Sequence, residues 1–288
     1  MSLERQVIEA AIKASGGAEQ PAEHVESLLA KLHYLEKIGR YGQLLKGIAK
    51  SNDKSNFLAL LLEVTFAYQF ELAGFPLDYE AKQIAEQTSS IDFKMTLPSG
   101  EAVYFELRLL QQDRKTAEDI AKQLAASTVY QVMKDGADEQ AEIFRAQSTL
   151  LSKVESGGKP IKFLSIEKGT FNIVVLCVSD LLLGTVDQHD CMLATYGDSE
   201  VPKHYRREIF GLFQEPKPAY PKHIQAAAAR FKHFRATVHA VLFLFRTDDD
   251  GALDYSLRQV LVWNRSLIST EAAKCVCEAV YKSVPQFA

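Results

Sequence analysis

Apolar residues recur at three- and four-residue intervals through the first fifty positions, in VIEAAIKA and VESLLAKLHYLEKIG, with SGG and QPAEH breaking the run. The chain therefore opens on helices. A further helix starts near Ser55 and runs through FLALLLEVTFAYQFELAG, where Gly74 and Pro76 supply a stop signal. The pattern then changes from helical to alternating: FPLDYEAK, SSIDFKMTL and EAVYFELRLL read as three extended pieces, the last two joined by Pro98, Ser99 and Gly100. Helical spacing returns near 115–134 and 138–154. Beyond a Gly-Gly-Lys-Pro turn, KFLSIEK and FNIVVLCVSD read as strands, the second apolar enough to be buried on both faces. Residues 181–220 carry no regular pattern. A helix from Pro221 to Arg235 leads into VHAVLFLFR and, across the acidic turn TDDDGALD, into LRQVLVWN, and the chain closes on the helix EAAKCVCEAVYKSV. This order predicts an α/β fold with a mixed central sheet flanked by helices, residues 1–50 being a helical segment packed on a core formed by 51–288.

Composition narrows the class. Apolar residues make up 47% and charged residues 24% of the 288, which separates the chain from polar, highly charged disordered sequences. No apolar run approaches the roughly 20 residues needed to cross a bilayer, and the first fifteen residues lack a signal peptide's apolar stretch, so no membrane partner and a cytoplasmic location are expected. The four cysteines, Cys177, Cys191, Cys275 and Cys277, are too few for a disulfide scaffold at this length. Cys275 and Cys277 lie two apart on a helix and diverge by roughly 200°, which favours structural thiols over a zinc site. A formal charge of −4 gives no global attraction to a polyanion, so any nucleic acid would be held by a local basic patch or through a metal.

Candidate chemistry sits on the hairpin from Ser90 to Leu110. Alternation places Ile91, Phe93, Met95 and Leu97 on one face and Asp92, Lys94 and Thr96 on the other. In the partner strand Val103, Phe105, Leu107 and Leu109 are the apolar set, opposed by Tyr104, Glu106 and Arg108. If Pro98, Ser99 and Gly100 form a three-residue loop with Gly100 left-handed, Leu97 pairs with Glu101 and Asp92 with Glu106. A two-residue loop would shift the register by one and set the apolar faces against each other, so the hydrophobic pattern selects the carboxylate pairing. Two like charges so placed repel unless a cation bridges them or one is protonated. Glu63 is a lone ionisable group within LALLLEVTFAY and needs water, a metal or a donor. Ala59 and Ala67, one turn to either side, leave room for that helix to approach the sheet.

A helix with an acidic residue, then a hairpin carrying an Asp, then an acidic residue, one apolar residue and a base resembles the PD-(D/E)XK nuclease superfamily. The matching elements are Glu63; Ser90, Ile91 and Asp92; and Glu106, Leu107 and Arg108. The resemblance covers roughly residues 55–250 in element order and rests on four or five positions in residues. It implies a restriction endonuclease-like core with an N-terminal helical extension, and magnesium (or manganese) held by Asp92 and Glu106 with help from Glu63. The implied reaction is metal-dependent hydrolysis of phosphodiester bonds in nucleic acid, DNA before RNA, by an endonuclease or exonuclease. Arg108 replaces the family's usual lysine; a guanidinium can stabilise charge but cannot act as a general base. Lys94 shares a face with Asp92 and is the second candidate for that part. Gln147, in RAQSTLLSKVE, resembles a polar helix position that borders the site in such nucleases.

Two basic runs are candidate phosphate contacts: Lys203, Arg206 and Arg207 in KHYRR, and Arg230, Lys232 and Arg235 in PKHIQAAAARFKHFR. A solvated helix face accounts for them as well. The alternative to an enzyme is a nuclease-like fold that has lost catalysis and serves as a nucleic-acid or protein binding module, its carboxylates neutralised by Arg108 and Lys94. A homo-oligomer is left open.

Overall fold

A computed structural model describes residues 3–15, 20–83, 89–111, 136–163, 168–180, 186–197, 209–247 and 255–287, with positions 118, 119, 122, 123, 125, 126, 166 and 253. Among these the helices are α1 (Arg5–Ala14), α2 (Ala22–Ile38), α3 (Gly42–Ala49), α4 (Lys54–Leu72), α5 (Gly136–Val154), α6 (Gln188–Tyr196), α7 (Lys222–Arg230), α8 (Lys232–Thr237) and α9 (Thr270–Ser283). The strands are β1 (Leu77–Ala81), β2 (Ile91–Thr96), β3 (Ala102–Gln111), β4 (Glu155–Ser156), β5 (Lys159–Pro160), β6 (Thr170–Asp180), β7 (Ala240–Arg246) and β8 (Leu257–Trp263). Six of them form one sheet in the order β1-β2-β3-β6-β7-β8, and β4 pairs with β5 alone. The β1-β2-β3 meander is antiparallel, β3-β6-β7 run parallel, and β8 returns antiparallel. The sheet is mixed, as the order of elements predicts. Among the described residues no helix is long and apolar enough to cross a membrane.

Each sheet face carries its own core. On one side Phe93, Met95, Val103, Phe105 and Leu107 meet α4, and the same cluster takes in Leu28, Leu32, Leu44 and Ile48 of α2 and α3 and Val276 and Val280 of α9. On the other, Tyr104, Val174, Leu176, Val241 and Phe243 pack with Leu150 of α5, Ala194 of α6 and Phe234 of α8. β6, buried from Phe171 to Val178, separates the two.

The segment that carries the site is built from strong local signals. α4 starts at Asp53, whose side chain accepts the Asn56 N–H at 2.8 Å, and ends where Phe75 N bonds the Phe70 carbonyl and Gly74 N the Glu71 carbonyl, with Gly74 at φ +81°. That paired bonding around a left-handed glycine is a Schellman stop. Phe66 stacks against Phe93 and Phe105 at centroid distances of 5.5 and 5.4 Å, and Phe70 against Phe105 at 5.4 Å. Burying rings of this size contributes about 2–3 kcal/mol apiece and fixes α4 over the hairpin. Glu71 ties the N-terminal helices to the same place, accepting from Leu77 N at 3.0 Å, from Arg40 at 2.6 Å and from the Tyr41 hydroxyl.

The hairpin turns as its apolar pattern requires. Leu97 N bonds Glu101 O at 2.8 Å, Gly100 N bonds Leu97 O at 2.9 Å, and Gly100 has φ +95°. Phe93 then pairs with Phe105 and Met95 with Val103.

Several expectations change. KFLSIEK is not a strand among its described residues, because Phe163 has φ +51°, incompatible with extended backbone; the extended pair lies earlier, at 155–160. Residues 181–220 contain α6, opened by a reciprocal cap in which Asp187 accepts Asp190 N and Asp190 accepts Asp187 N. The helix expected from Pro221 to Arg235 is two, broken at Phe231. The helix expected near 115–134 lies mostly outside the described residues.

Candidate active site

The ladder between β2 and β3 ends at Phe93 with Phe105. One step further it would set Asp92 opposite Glu106. Hydrogen-bonded pairs alternate along an antiparallel ladder, and with Leu97 and Glu101 bonded the next N–H, that of Leu107, falls due to Ile91. It donates instead to Asp92 Oδ2 at 2.6 Å. The Asp92 side chain has taken the place of a main-chain acceptor where the strands part.

Glu106 is fully buried, with β2 on one side and Val174 of β6 on the other. Its charge is met from two other elements. Lys153, in the last turn of α5, donates to Oε1 at 2.6 Å and stands 3.9 Å from Asp92 Oδ2. Lys162 places its ammonium 2.5 Å from Oε2, so that each oxygen of this buried carboxylate faces one ammonium. The β4-β5 hairpin brings these two lysines together. Gly157 and Gly158, with φ +57° and +74°, form the two-residue turn that matches strand twist, and Ile161 N and Lys162 N then both bond the carbonyl of Val154. Nine positions of chain thereby return to one point.

Glu63 approaches from α4, one turn before Phe66. Its Oε2 accepts the Tyr79 hydroxyl at 2.9 Å. Burial, and next the charge of Asp92, push its carboxyl up to about 8, against the Tyr79 hydrogen bond and Lys153, while Glu106 adds to the rise. Burial and then Asp92 likewise raise Glu106, which Lys153 and Lys162 counter. Tyr79 is raised by burial and by Glu63. Each of the three acids thus acts in the electrostatics of the same spot, where burial favours the neutral form of Glu63 while Lys153 faces Asp92 and Glu106 and Lys162 faces Glu106.

The structure brings together Glu63, Asp92 and Glu106, but not the cations expected beside them. Arg108 is exposed, two residues along β3 from Glu106, roughly 7 Å of strand away. Lys94 pairs in register with Tyr104 and Asp78, toward the turn. Sharing a face did not make either of them a neighbour; the ion pairs on Glu106 belong to Lys153 and Lys162. Gln147 lies elsewhere: its buried amide donates to the carbonyls of Ala194 and Phe210 at 2.9 Å each, clamping α6 to the segment after it. Six residues before Lys153, it projects roughly 120° away around the helix. The signal for Lys153 was present, since it follows Ala146 by seven residues and Leu150 by three, on the flank of the apolar stripe of α5.

Arg230 and Lys232 are exposed, whereas Arg235 is buried, its Nη2 on the Ala228 carbonyl at 3.3 Å and its Nε 3.5 Å from Glu215. Arg235 faces the interior and is no phosphate contact. Lys203, Arg206 and Arg207 lie outside the described residues. Cys177 and Cys191 are buried thiols; Cys275 is exposed, and Cys277 accepts from Trp263 Nε1 at 3.3 Å. Among the described residues no three His, Cys, Asp or Glu side chains gather tightly enough to enclose an ion as they stand, the Lys153 ammonium lying between Asp92 and Glu106. No protein-family model, curated protein or solved structure matches this chain.

Proposed function

We propose that the chain is a metal-dependent phosphodiesterase of restriction endonuclease-like fold that hydrolyses nucleic acid, DNA before RNA, at Asp92 and Glu106. The order α4, β1, β2, β3, α5, β6 supports this, with an acid on the first helix and two on the hairpin, in the sequence order of the PD-(D/E)XK superfamily. The observation that carries the reading is the fully buried carboxylate of Glu106, linked through Lys153 to a second carboxylate, that of Asp92. Burying one acid beside another is costly, a cost that chemistry at the site accounts for.

The donor set fits magnesium or manganese, hard ions that take carboxylate oxygen and water. Asp92 and Glu106 would hold the ion. Glu63 would join through its unprotonated form or through water. A bound divalent ion polarises the scissile phosphate and lowers the pKa of a water. Lys153, already within hydrogen-bond reach of Glu106, would orient that water and offset charge developing on the phosphate, the part first expected of Arg108. Water adds to phosphorus, one P–O ester bond breaks, and the products are a phosphate monoester and a hydroxyl.

A second reading has its own support. Both Glu106 oxygens already face ammonium groups, so the charges balance without metal, as a nuclease-like binding module would need. Calorimetric titration with magnesium chloride separates the two. Uptake in the wild type that disappears in Asp92→Ala supports the enzyme; no uptake at millimolar ion supports the module.

A further inference from the structure

The two lysines on Glu106 are held in different ways. Lys153 belongs to a nineteen-residue helix, makes a 2.6 Å hydrogen bond to Oε1 and reaches toward Asp92 as well. Lys162 comes from a segment with no regular structure and meets one carboxylate oxygen alone, Oε2 of Glu106. We propose that Lys162 is a displaceable counter-ion, seated on Glu106 in the ion-free protein and driven off when a divalent cation takes Oε2, so that this one side chain sets the concentration at which the site loads. The inference rests on the metal reading above.

The backbone around Lys162 is fixed, which leaves its side chain as the movable part. Its N–H bonds the Val154 carbonyl at 3.3 Å, and its own carbonyl meets His233 Nε2 at 3.3 Å. The carbonyl of Ile161 accepts the Ser89 hydroxyl at 3.2 Å. Phe163, the next residue, is fully buried at φ +51°, a conformation that bulky residues rarely adopt. Strain of this kind persists only where the surroundings over-determine it. Here the seated ring of Phe163 aims the preceding side chain at Glu106. Beyond the α-carbon the constraint ends: the lysine stem has four rotatable carbons, and its side chain keeps 13% of its surface open to water.

Competition for Oε2 favours a divalent ion. A single ammonium brings one charge and engages one carboxylate. A divalent cation brings two charges and binds Asp92 and Glu106 at once, which offsets the cost of shedding part of its tightly held water. Lys153 can keep Oε1 while Oε2 changes partner. With Lys162 absent, nothing need be displaced.

The test uses the full chain and magnesium or manganese alone, in calorimetry, on the wild type, Lys162→Met, Lys162→Gln and Asp92→Ala. Both Lys162 variants should bind the ion at least about tenfold more tightly, equivalent to about 1.4 kcal/mol. Their melting temperatures should fall in chelator and recover by more than the wild type gains when the ion is added. Folded Lys162 variants that bind with the wild-type constant, or more weakly, overturn the inference while leaving the metal reading intact, provided that Asp92→Ala abolishes uptake. If only the Lys162 variants take up ion, the competition between Lys162 and the ion is supported while the wild type, which takes up none at millimolar concentration, is the binding module. If neither they nor the wild type do so at millimolar concentration, both proposals fall. Should Lys162→Met not fold in either condition, Lys162→Gln, which keeps a polar donor, decides.

Discussion

Two buried polar clusters lie at different places along the sheet, and they solve the same problem in opposite ways. Around Asn172 every partner is neutral. Its N–H bonds His239 Nδ1 at 3.0 Å, its carbonyl accepts His239 N at 2.8 Å, its Nδ2 donates to Thr237 O at 2.9 Å and its Oδ1 accepts from Gln83 at 2.7 Å. Asn264 continues the pattern onto the carbonyls of Arg235 and Val238. Around Glu106, three acids share one electrostatic environment and two lysines are fetched from other elements to face the buried carboxylate. A network that only holds strands together needs no such repulsion. The first cluster is what the interior does with polar groups for stability, and the second is what it tolerates for chemistry.

The widest separation should come from activity. Glu106→Gln is expected to lower DNA cleavage by roughly 10²-fold or more, as loss of a group that acts on developing charge does, while Asn172→Ala leaves the rate per folded molecule unchanged. Gel assays with the folded fraction measured alongside would show it.

Stability should separate the clusters less. Asn172→Ala removes the bonds to Thr237 and Gln83 and is expected to cost about 2–3 kcal/mol in urea unfolding. Glu106→Gln leaves Lys153 and Lys162, both largely buried, without their counter-charge and is expected to cost about 3–5 kcal/mol. A loss below about 1 kcal/mol in Glu106→Gln would show that the ion pairs do not hold the site together.

The clusters should also respond to pH with opposite sign. In chelator, Glu63 binds its proton more tightly folded than unfolded, so its contribution is complete below about 4.5 and is lost as pH rises toward about 8. Burial lowers His239 from 6.5 to about 4, so its contribution is complete above 6.5 and is lost as pH falls toward 4. The limiting slope for either group is about 1.4 kcal/mol per pH unit. Glu63→Gln should flatten the alkaline limb and His239→Asn the acid limb, read from urea midpoints across the range. The smallest effect expected is that of Arg108→Gln, within about 0.5 kcal/mol in stability, because the side chain is exposed and away from the carboxylates.

The sequence carried most of the order of elements and the hairpin register because both follow from period and turn chemistry. Gly100 had to be left-handed, and only one register buries Phe93 and Phe105 together. It carried the three acids for the same reason. The cations were harder to place: Lys153 lay on the flank of the α5 stripe with nothing in sequence to tie it to β3, and Lys162 reaches Glu106 after the β4-β5 reversal, contacts across forty-seven and fifty-six positions that alternation within β2 and β3 could not show. Arg108 and Lys94 were near in sequence, and proximity along a strand is not proximity to a carboxylate. Arg235 was read as solvated from its charged neighbours, but the break at Phe231 turns α8 so that this side chain points inward.

The central claim is tested most directly by the initial rate of cleavage of plasmid and single-stranded DNA by purified wild type and Asp92→Ala, each with magnesium and with chelator. Cleavage by the wild type alone, and only with the ion present, is the predicted result. No cleavage by the folded wild type at millimolar magnesium, or equal cleavage by Asp92→Ala, would contradict it.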